Sequence, residues 1–464
     1  MRSEVLYKQI PLQHLSPEKR VASFAEVSLG YTEAQALAEA GRCLQCNNPS
    51  CIKGCPVGID IPGFIQLITE GKYQEAIMKI KENNNLPAIC GRVCPQEDQC
   101  QRNCCEVIDD VINIGGLERF VADWELANST PLPNRSPSPG KAVAVVGSGP
   151  AGLTVAAELA KMGHHVILFE ALHKPGGVLT YGIPEFRLPK NIVKAEVDYI
   201  KKLGVEIELN RVIGRTMTVD DLFNEGYEAI FVASGAGLPT FLNIPRENLG
   251  GIYSANEFLL RVNLMEAYKF PAKSDTPLKL RGRVTVIGGG NVAIDAARCA
   301  IRLNAEEVYI IYRRTEMEMP ARPDEVNHAQ EEGVKFQFLT QPIKFIGDNA
   351  GMVKGIECIR MKLGSIDTTR RPRPIPVENS SFLFKTGTVI VAVGQAPNPL
   401  IARTTRDIKT SQTGTIIVDP TSYKTTLPRV YAGGDVVSGA ATVISAMKAG
   451  KVAAQVINRK LKKE

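Results

Sequence analysis

Nine of the eleven cysteines lie between Cys43 and Cys105, and eight of them form two runs spaced as ligands. The first run is Cys43-x2-Cys46-x4-Cys51-x3-Cys55, closed by Pro56, and the second is Cys90-x3-Cys94-x5-Cys100-x3-Cys104, with Cys105 beside it. Short thiolate spacings ended by Cys-Pro suit ferredoxin-type [4Fe–4S] binding, because the loop has to wrap a cube and then turn away. Structural zinc uses compact Cys-x2–4-Cys pairs, and the spacings x2, x4, x3 and x3, x5, x3 do not read that way. A disulfide framework belongs to small secreted domains; this chain has 464 residues, and its opening MRSEVLYKQIPLQHL has no apolar core of the export type. The expectation is two [4Fe–4S] clusters. In two-cluster ferredoxins the fourth cysteine of a run serves the other cluster. On that rule Cys43, Cys46 and Cys51 take a ligand from the second run while Cys55 crosses over. Cys299 and Cys358 stand apart and read as small buried hydrophobes.

Two glycine loops carry the second kind of chemistry. Gly147-Ser-Gly149-Pro150-Ala151-Gly152 follows the apolar run Ala142–Val146 and precedes a helical stretch through Met162. Its glycines serve the tight turn, the close approach of a pyrophosphate and helix–strand packing, and the helix N-terminus faces the phosphates with its positive end. The next strand, Val166–Phe169, ends in Glu170, eighteen residues beyond Gly152. A carboxylate there accepts hydrogen bonds from the ribose hydroxyls of an adenosine without a 2′-phosphate, as in FAD or NAD. The second loop, Gly288-Gly-Gly290-Asn291-Val292-Ala293, follows Val284–Ile287, and its next strand, Val308–Tyr312, ends in Arg313-Arg314. A carboxylate repels a 2′-phosphate, whereas guanidiniums grip one bidentately, so this loop points to NADP(H). Late in the chain Val430–Ala432 runs into Gly433-Gly434-Asp435, with Ala441-Thr442 opening a helix. Asp435 is placed there to bind a flavin's ribityl chain, and Gly177 belongs to the same expected FAD site.

The elements that must hold these residues follow from patterning. A chain of this length makes about three domains of about 150 residues. Helical periodicity in Thr32–Ala40 and Ile61–Ile80 predicts a largely α N-terminal domain, 1–135, carrying the clusters. Residues 129–140 hold four prolines in twelve positions and mark a boundary. Beyond it, strand-like runs alternate with Ala-rich helical stretches, which predicts an α/β fold with two Rossmann-like domains. The FAD domain is expected at 141–275 and 385–464, with the NADP(H) domain, 281–384, inserted. Net charge is +6, one Trp is present and no basic–aromatic interleaving occurs, so no nucleic-acid partner is expected. The C-terminal Asn-Arg-Lys-Leu-Lys-Lys run reads as a solvated helix end. No stretch approaches 18 apolar residues, so no membrane partner is expected, and a reducing, cytoplasmic setting is. No Cys pair follows Gly176-Gly177, Cys299 has no Cys-x-x-Cys partner and no Ser-His-Asp arrangement is visible, which leaves the chemistry to the cofactors.

Taken together, Arg42-Cys-Leu-Gln-Cys46, Cys90-Gly-Arg-Val-Cys-Pro95, both glycine loops, Tyr312-Arg-Arg-Thr315, Met319-Pro320 and Gly433-Gly-Asp435 resemble the small (β) subunit family of NADPH-dependent glutamate synthase. That family's relatives include the N-terminal half of dihydropyrimidine dehydrogenase. Within it, Gly237–Pro245 and Tyr253–Met265 resemble the large subunit of NADH-dependent reduced ferredoxin:NADP oxidoreductases, which bifurcate electrons. Arg246 departs from the pattern, standing where relatives carry Gly. The resemblance implies one cluster on Cys43, Cys46, Cys51 and Cys104, and another on Cys55, Cys94, Cys100 and Glu118 of Gly115-Gly-Leu-Glu118. Cys90 and Cys105 are then spectators. It further implies NADP(H) docking over FAD, with Gly182-Ile-Pro-Glu185-Phe-Arg187 beside the flavin, and single electrons leaving through the clusters. Ferredoxin and a second flavoprotein or iron–sulfur subunit, which reduces NAD, are the implied partners. The alternative is a glutamate synthase small subunit feeding a glutamate-forming large subunit.

Overall fold

The computed structural model describes residues 8–105, 110–128, 131–133, 140–367 and 371–462. In the N-terminal part, α1 (Glu33–Ala40) starts at a capping box in which Thr32 Oγ1 accepts the Gln35 N–H while the Gln35 side chain takes the Thr32 N–H. The apolar period over 61–80 continues, but the helix does not: it splits into α2 (Ile61–Thr69) and α3 (Tyr73–Lys81). Gly71 between them has φ +71°, a left-handed turn that glycine adopts without steric cost. The two helices fold back so that Phe64, Ile65 and Ile68 share one core with Ala76, Ile77 and Ile80. α4 (Pro87–Val93) and α5 (Ile114–Ala127) complete this part. Of the proline-rich boundary at 129–140, residues 129–130 and 134–139 lie outside the described residues.

Down the chain follow β1 (Ala142–Val146), α6 (Pro150–Lys161), β2 (His165–Phe169), α7 (Lys190–Lys202), β3 (Val205–Glu208) and β4 (Ala229–Val232). Next come β5 (Ile252–Ser254), α8 (Ala255–Asn263), β6 (Arg283–Ile287), α9 (Asn291–Arg302), β7 (Glu307–Ile311), α10 (Pro323–Glu331) and β8 (Lys335–Gln337). The strands β9 (Thr340–Gly347), β10 (Val353–Ile366), β11 (Pro372–Pro376), β12 (Phe382–Lys385) and β13 (Thr388–Val391) precede β14 (Val430–Ala432) and α11 (Val443–Leu461).

The first sheet has the order β14-β4-β1-β2-β3 and the second β8-β7-β6-β13-β5; every pairing in both is parallel. Their central strands, Ala-Val-Ala-Val-Val and Arg-Val-Thr-Val-Ile, are buried on both faces after their first residue, as strands covered by helices on both sides are. A third, antiparallel sheet, β9-β10-β11 with β12 also on β10, was not foreseen. The sheet pairing also moves the expected domain borders. Both β5 and β13 were assigned to the FAD domain by borders at 275 and 385, yet β13 pairs with β6 and β5 pairs with β13 in the second sheet. An apolar run identifies itself as a strand, but only its hydrogen-bonded neighbours decide which sheet it joins. Among the described residues no helix is long and apolar enough to cross a membrane.

Candidate functional site

Short helical turns set out the thiols. Ser50–Gly54 is one turn carrying Cys51, with Cys55 at its C-cap, and α4 carries Cys90 with Cys94 at its C-cap. The structure sorts the cysteines into two sets. In the outer set, Cys46 lies beside Cys105, Cys43 and Cys104, and Cys51 beside Cys104 and Cys43. In the inner set, Cys100 lies beside Glu118, Cys55 and Cys94, and Cys90 beside Cys94. Each run therefore sends one cysteine to the other: Cys55 stands among second-run thiols and Cys104 among first-run thiols. Burial raises the Cys43 and Cys55 thiols, lifts Cys51 up to about 12 and raises Cys100 further still. Iron binding must therefore displace a proton from each.

Glu118 is buried in α5, where its Oε1 accepts from Asn84 Nδ2 at 2.7 Å, and burial pushes its carboxyl up to about 8. The outer set offers five thiols and the inner set four thiols with one carboxyl, enough donors in each for the four irons of a cube. Among the described residues no group of three or more His, Cys, Asp or Glu side chains is gathered to hold a single metal ion. Ligands at the corners of a cube stand farther apart than those around one ion.

The first sheet presents the expected FAD residues at the carboxyl ends of its strands, where open α/β sheets bind ligands. Gly147, at φ +104°, follows β1, and its N–H bonds Phe169 O at 2.8 Å. A side chain at Gly152 would collide with the Gly147 carbonyl, so the turn and α6 touch backbone to backbone. A Cβ at Gly149 meets nothing within 4 Å, leaving the loop face open, and one at Gly177 would lie 2.8 Å from Gly149 Cα. Glu170 accepts the Ser148 N–H at 2.9 Å and the Leu172 N–H at 2.8 Å, and also the Ser148 hydroxyl. Ser148 in turn takes the Gly176 N–H at 2.9 Å. This hydroxyl ties the loop, Glu170 and Gly176-Gly177 into one piece, yet it occupies a variable place in the glycine pattern and was missed. Gly434 packs against Ala151, Asp435 accepts the Ala441 N–H at 3.2 Å, and Thr442 caps α11. Tyr181, also missed, is raised up to about 12 by burial, with the Asp435 and Glu170 carboxylates adding to the shift. Of the segment expected at the flavin, Phe186 is fully buried and Arg187 pairs with Asp295, so this end of it serves packing between domains.

In the second sheet Gly288, Gly290, Asn291, Val292 and Ala293 follow β6, and Ala293 is buried against the sheet while a Cβ at Gly290 would meet only Pro320, at 3.8 Å. The expected arginine pair is divided. Arg313 is exposed, but Arg314 is 4% exposed, donating from Nε to Pro372 O at 2.8 Å and pairing with Asp367 at 2.9 Å. Two of the Arg314 nitrogens are thereby committed to the β10–β11 hairpin, although its side chain lines the same cavity as Arg313, a division that the sequence pair concealed.

The segment that carries the inner thiols touches both dinucleotide domains. Cys90 Sγ lies 3.5 Å from Met447 Sδ of α11. The run Asn83-Asn84-Asn85 fastens this junction: Asn84 holds Glu118, Asn85 donates to Glu158 of α6 at 2.6 Å, and Asn83 binds Lys451 of α11. Three successive polar residues before Leu-Pro resemble a surface loop, but Asn84 and Asn85 are fully buried. Glu97, between Cys94 and Cys100, forms a bidentate pair with Arg322 at 2.6 and 3.1 Å, and the Arg322 N–H bonds Asn291 Oδ1 at 3.0 Å.

Comparison with known proteins fits this architecture. Residues 20–130 match the family described as dihydropyrimidine dehydrogenase domain II, 4Fe-4S cluster, and residues 141–450 the pyridine nucleotide-disulphide oxidoreductase family. The chain is 34% identical over 466 residues to the glutamate synthase [NADPH] small chain of Escherichia coli (strain K12), covering 97% of this chain and 98% of that one. It is 39% identical over 439 residues to the NADP(+)-dependent formate dehydrogenase subunit beta of Moorella thermoacetica, covering 89% of this chain but spanning only 60% of that relative. Among solved structures, Mycobacterium tuberculosis FprA in complex with NADPH shares the fold, with a TM-score of 0.58 at 23% identity over 70% of this chain and 86% of that one.

Proposed function

The chain belongs to the glutamate synthase small-subunit family of NADP-dependent iron–sulfur flavoprotein oxidoreductases, and on that premise we propose that it is the NADPH-oxidising, electron-distributing subunit of a hetero-oligomer. FAD, when bound, supplies the conversion of a two-electron hydride from NADPH into electrons that leave one at a time. Gly147, Gly149, Pro150, Ala151 and Gly152 cradle its pyrophosphate, Glu170 its ribose, and Gly177, Gly434, Asp435, Ala441 and Thr442 the flavin end. Gly288, Gly290, Asn291, Val292 and Ala293 receive the NADP(H) pyrophosphate, and Arg313 its 2′-phosphate. Cys55, Cys94, Cys100 and Glu118 hold an inner cluster; Cys43, Cys46, Cys51 and Cys104 hold an outer one.

The observation that carries this reading is the order of the parts. The inner set lies against α11, the helix that Thr442 opens at the FAD loop, through the Cys90–Met447 contact. The outer set reaches the surface at Cys105, which is exposed. A wire from flavin to partner needs that sequence of burial, with a dry start and an accessible end.

The partners we propose are ferredoxin and a second flavoprotein subunit that reduces NAD, giving electron bifurcation; Gly237–Pro245 and Tyr253–Met265 support this. The near-complete mutual coverage with the Escherichia coli small chain favours a second reading, delivery of electrons to a glutamate-forming large subunit. One pair of assays on the native complex separates them. NADPH, NAD and ferredoxin are supplied first, then NADPH with glutamine and 2-oxoglutarate. Ferredoxin-coupled transhydrogenation without glutamate formation is the expected result; glutamate formation alone overturns bifurcation.

A further inference from the structure

Resting on the NADP(H) reading above, we propose that Arg313 and Arg373 form the 2′-phosphate clamp, and that Arg314 is the bracket that positions Arg373. A cavity of about 670 Å3 opens at the end of β7, lined by Arg313, Arg314, Gln341, Ser365, Asp367 and Arg373 among others. Among the described residues its three guanidiniums share the lining with a single carboxylate, Asp367, which pairs with Arg314. Arg313 and Arg373 are both exposed, and among the described residues neither side chain has a hydrogen-bond or ion-pair partner. Two free guanidiniums on one cavity wall suit a phosphate dianion, whose oxygens accept from both forks.

A separation of sixty positions between Arg313 and Arg373 hides this pair in the sequence, and Arg314 is what closes the distance. Its Nε donates to the carbonyl of Pro372, the residue immediately before Arg373, and its other nitrogen holds Asp367 at the far side of the hairpin. Asp367 N–H in turn bonds Arg371 O at 2.8 Å. One buried cation thus pins both strands of the β10–β11 hairpin beside the end of β7, and Arg373 is carried to the cavity on the pinned strand. The proline at 372, paired opposite Ile366, has no N–H to give the ladder, which suits an edge strand held by a side chain instead.

The test uses the full-length holoprotein and binding, not turnover. The probes are 2′,5′-ADP, which carries the discriminating phosphate, and 5′-AMP, which lacks it, both read by calorimetry. Arg313→Ala and Arg373→Ala are each expected to weaken 2′,5′-ADP about tenfold or more, as loss of a hydrogen-bonded charge does, and to leave 5′-AMP within about twofold. Arg373→Lys should recover part of the loss. Arg314→Ala should lower the melting temperature, and in that background Arg373→Ala should add little, because the bracket is already gone. Unchanged 2′,5′-ADP binding in Arg373→Ala, with loss in Arg313→Ala, overturns this inference and leaves the NADP(H) reading standing. Loss of preference in Arg314→Ala at an unchanged melting temperature also overturns it, by making Arg314 a ligand. If the parent protein binds 2′,5′-ADP no more tightly than 5′-AMP, the NADP(H) reading itself fails.

Discussion

Glu118 differs from every other donor proposed around the clusters because it offers oxygen. A hard, charged oxygen in place of a thiolate changes a cube's net charge and hydrogen bonding, which set its potential. Asn84 aims that carboxyl at 2.7 Å from a fully buried position, so the group has one orientation rather than many. Replacing Glu118 by Ala in the reconstituted protein is expected to alter the EPR spectrum of one cluster and leave that of the other in place. Two unchanged spectra would remove Glu118 from the ligand set. At this scale the sequence is informative where chemistry needs a particular residue type: the thiols, the glycines and the acid after β2 all stand out by type and spacing. It is uninformative where a residue's role depends on what faces it. Arg314 reads as one of a phosphate-binding pair and is a buried bracket, while Ser148 reads as filler and ties the FAD loop together. Arg246, which departs from its relatives' glycine, keeps the backbone that glycine favours, with φ +66°.

Helices and strands were legible wherever local pattern decides them. β1 and β14 have the expected bounds, Ala142–Val146 and Val430–Ala432, and β2, β6 and β7 differ at their ends by a residue. How elements approach one another was not legible. Helices α6 and α11 cross so closely that a Cβ on Gly450 would lie 2.5 Å from Ala151 O and 3.1 Å from Val155 N. Those are backbone atoms of the helix that follows the FAD loop, and they cannot rotate aside as a flexible side chain does. Gly450→Ala is therefore expected to force the helices apart at a cost of about 1–3 kcal/mol, the usual range for overpacking. A lower melting temperature and reduced FAD retention on gel filtration would show it; unchanged values of both would mean that the helices separate freely.

Across the whole molecule, the second sheet is fastened to the rest from two sides. Arg187, in the segment after β2, reaches across to Asp295 of α9 at 2.7 and 2.9 Å and to Glu325 of α10 at 3.1 Å. Its neighbour Phe186 has the guanidiniums of Arg302 and Arg298 at 3.9 and 4.7 Å from its ring centroid. From the cysteine domain, Glu97 holds Arg322, and Ser23 O accepts from Arg302 Nε of α9 at 3.1 Å. Because the Arg187 and Asp295 side chains are only 8% and 5% exposed, Arg187→Ala leaves a buried carboxylate without its main partner. That change is expected to destabilise the protein by about 3–5 kcal/mol in denaturant unfolding; a change below about 1 kcal/mol would show that the pair contributes little to holding the domains.

The sequence by itself determined the cofactor classes and the elements that carry them, because both follow from residue types repeated at short spacing: thiolates around a loop, glycines at a strand end, apolar residues at fixed periods. Tertiary structure alone decided which second-run thiol joins the first set, which sheet β5 and β13 join, and that Arg373 comes to the cavity that Arg313 and Arg314 line. Those outcomes depend on contacts between residues far apart in the chain. Local spacing fixes what a segment can form, whereas hydrogen-bond pairing and burial between segments fix where it is placed.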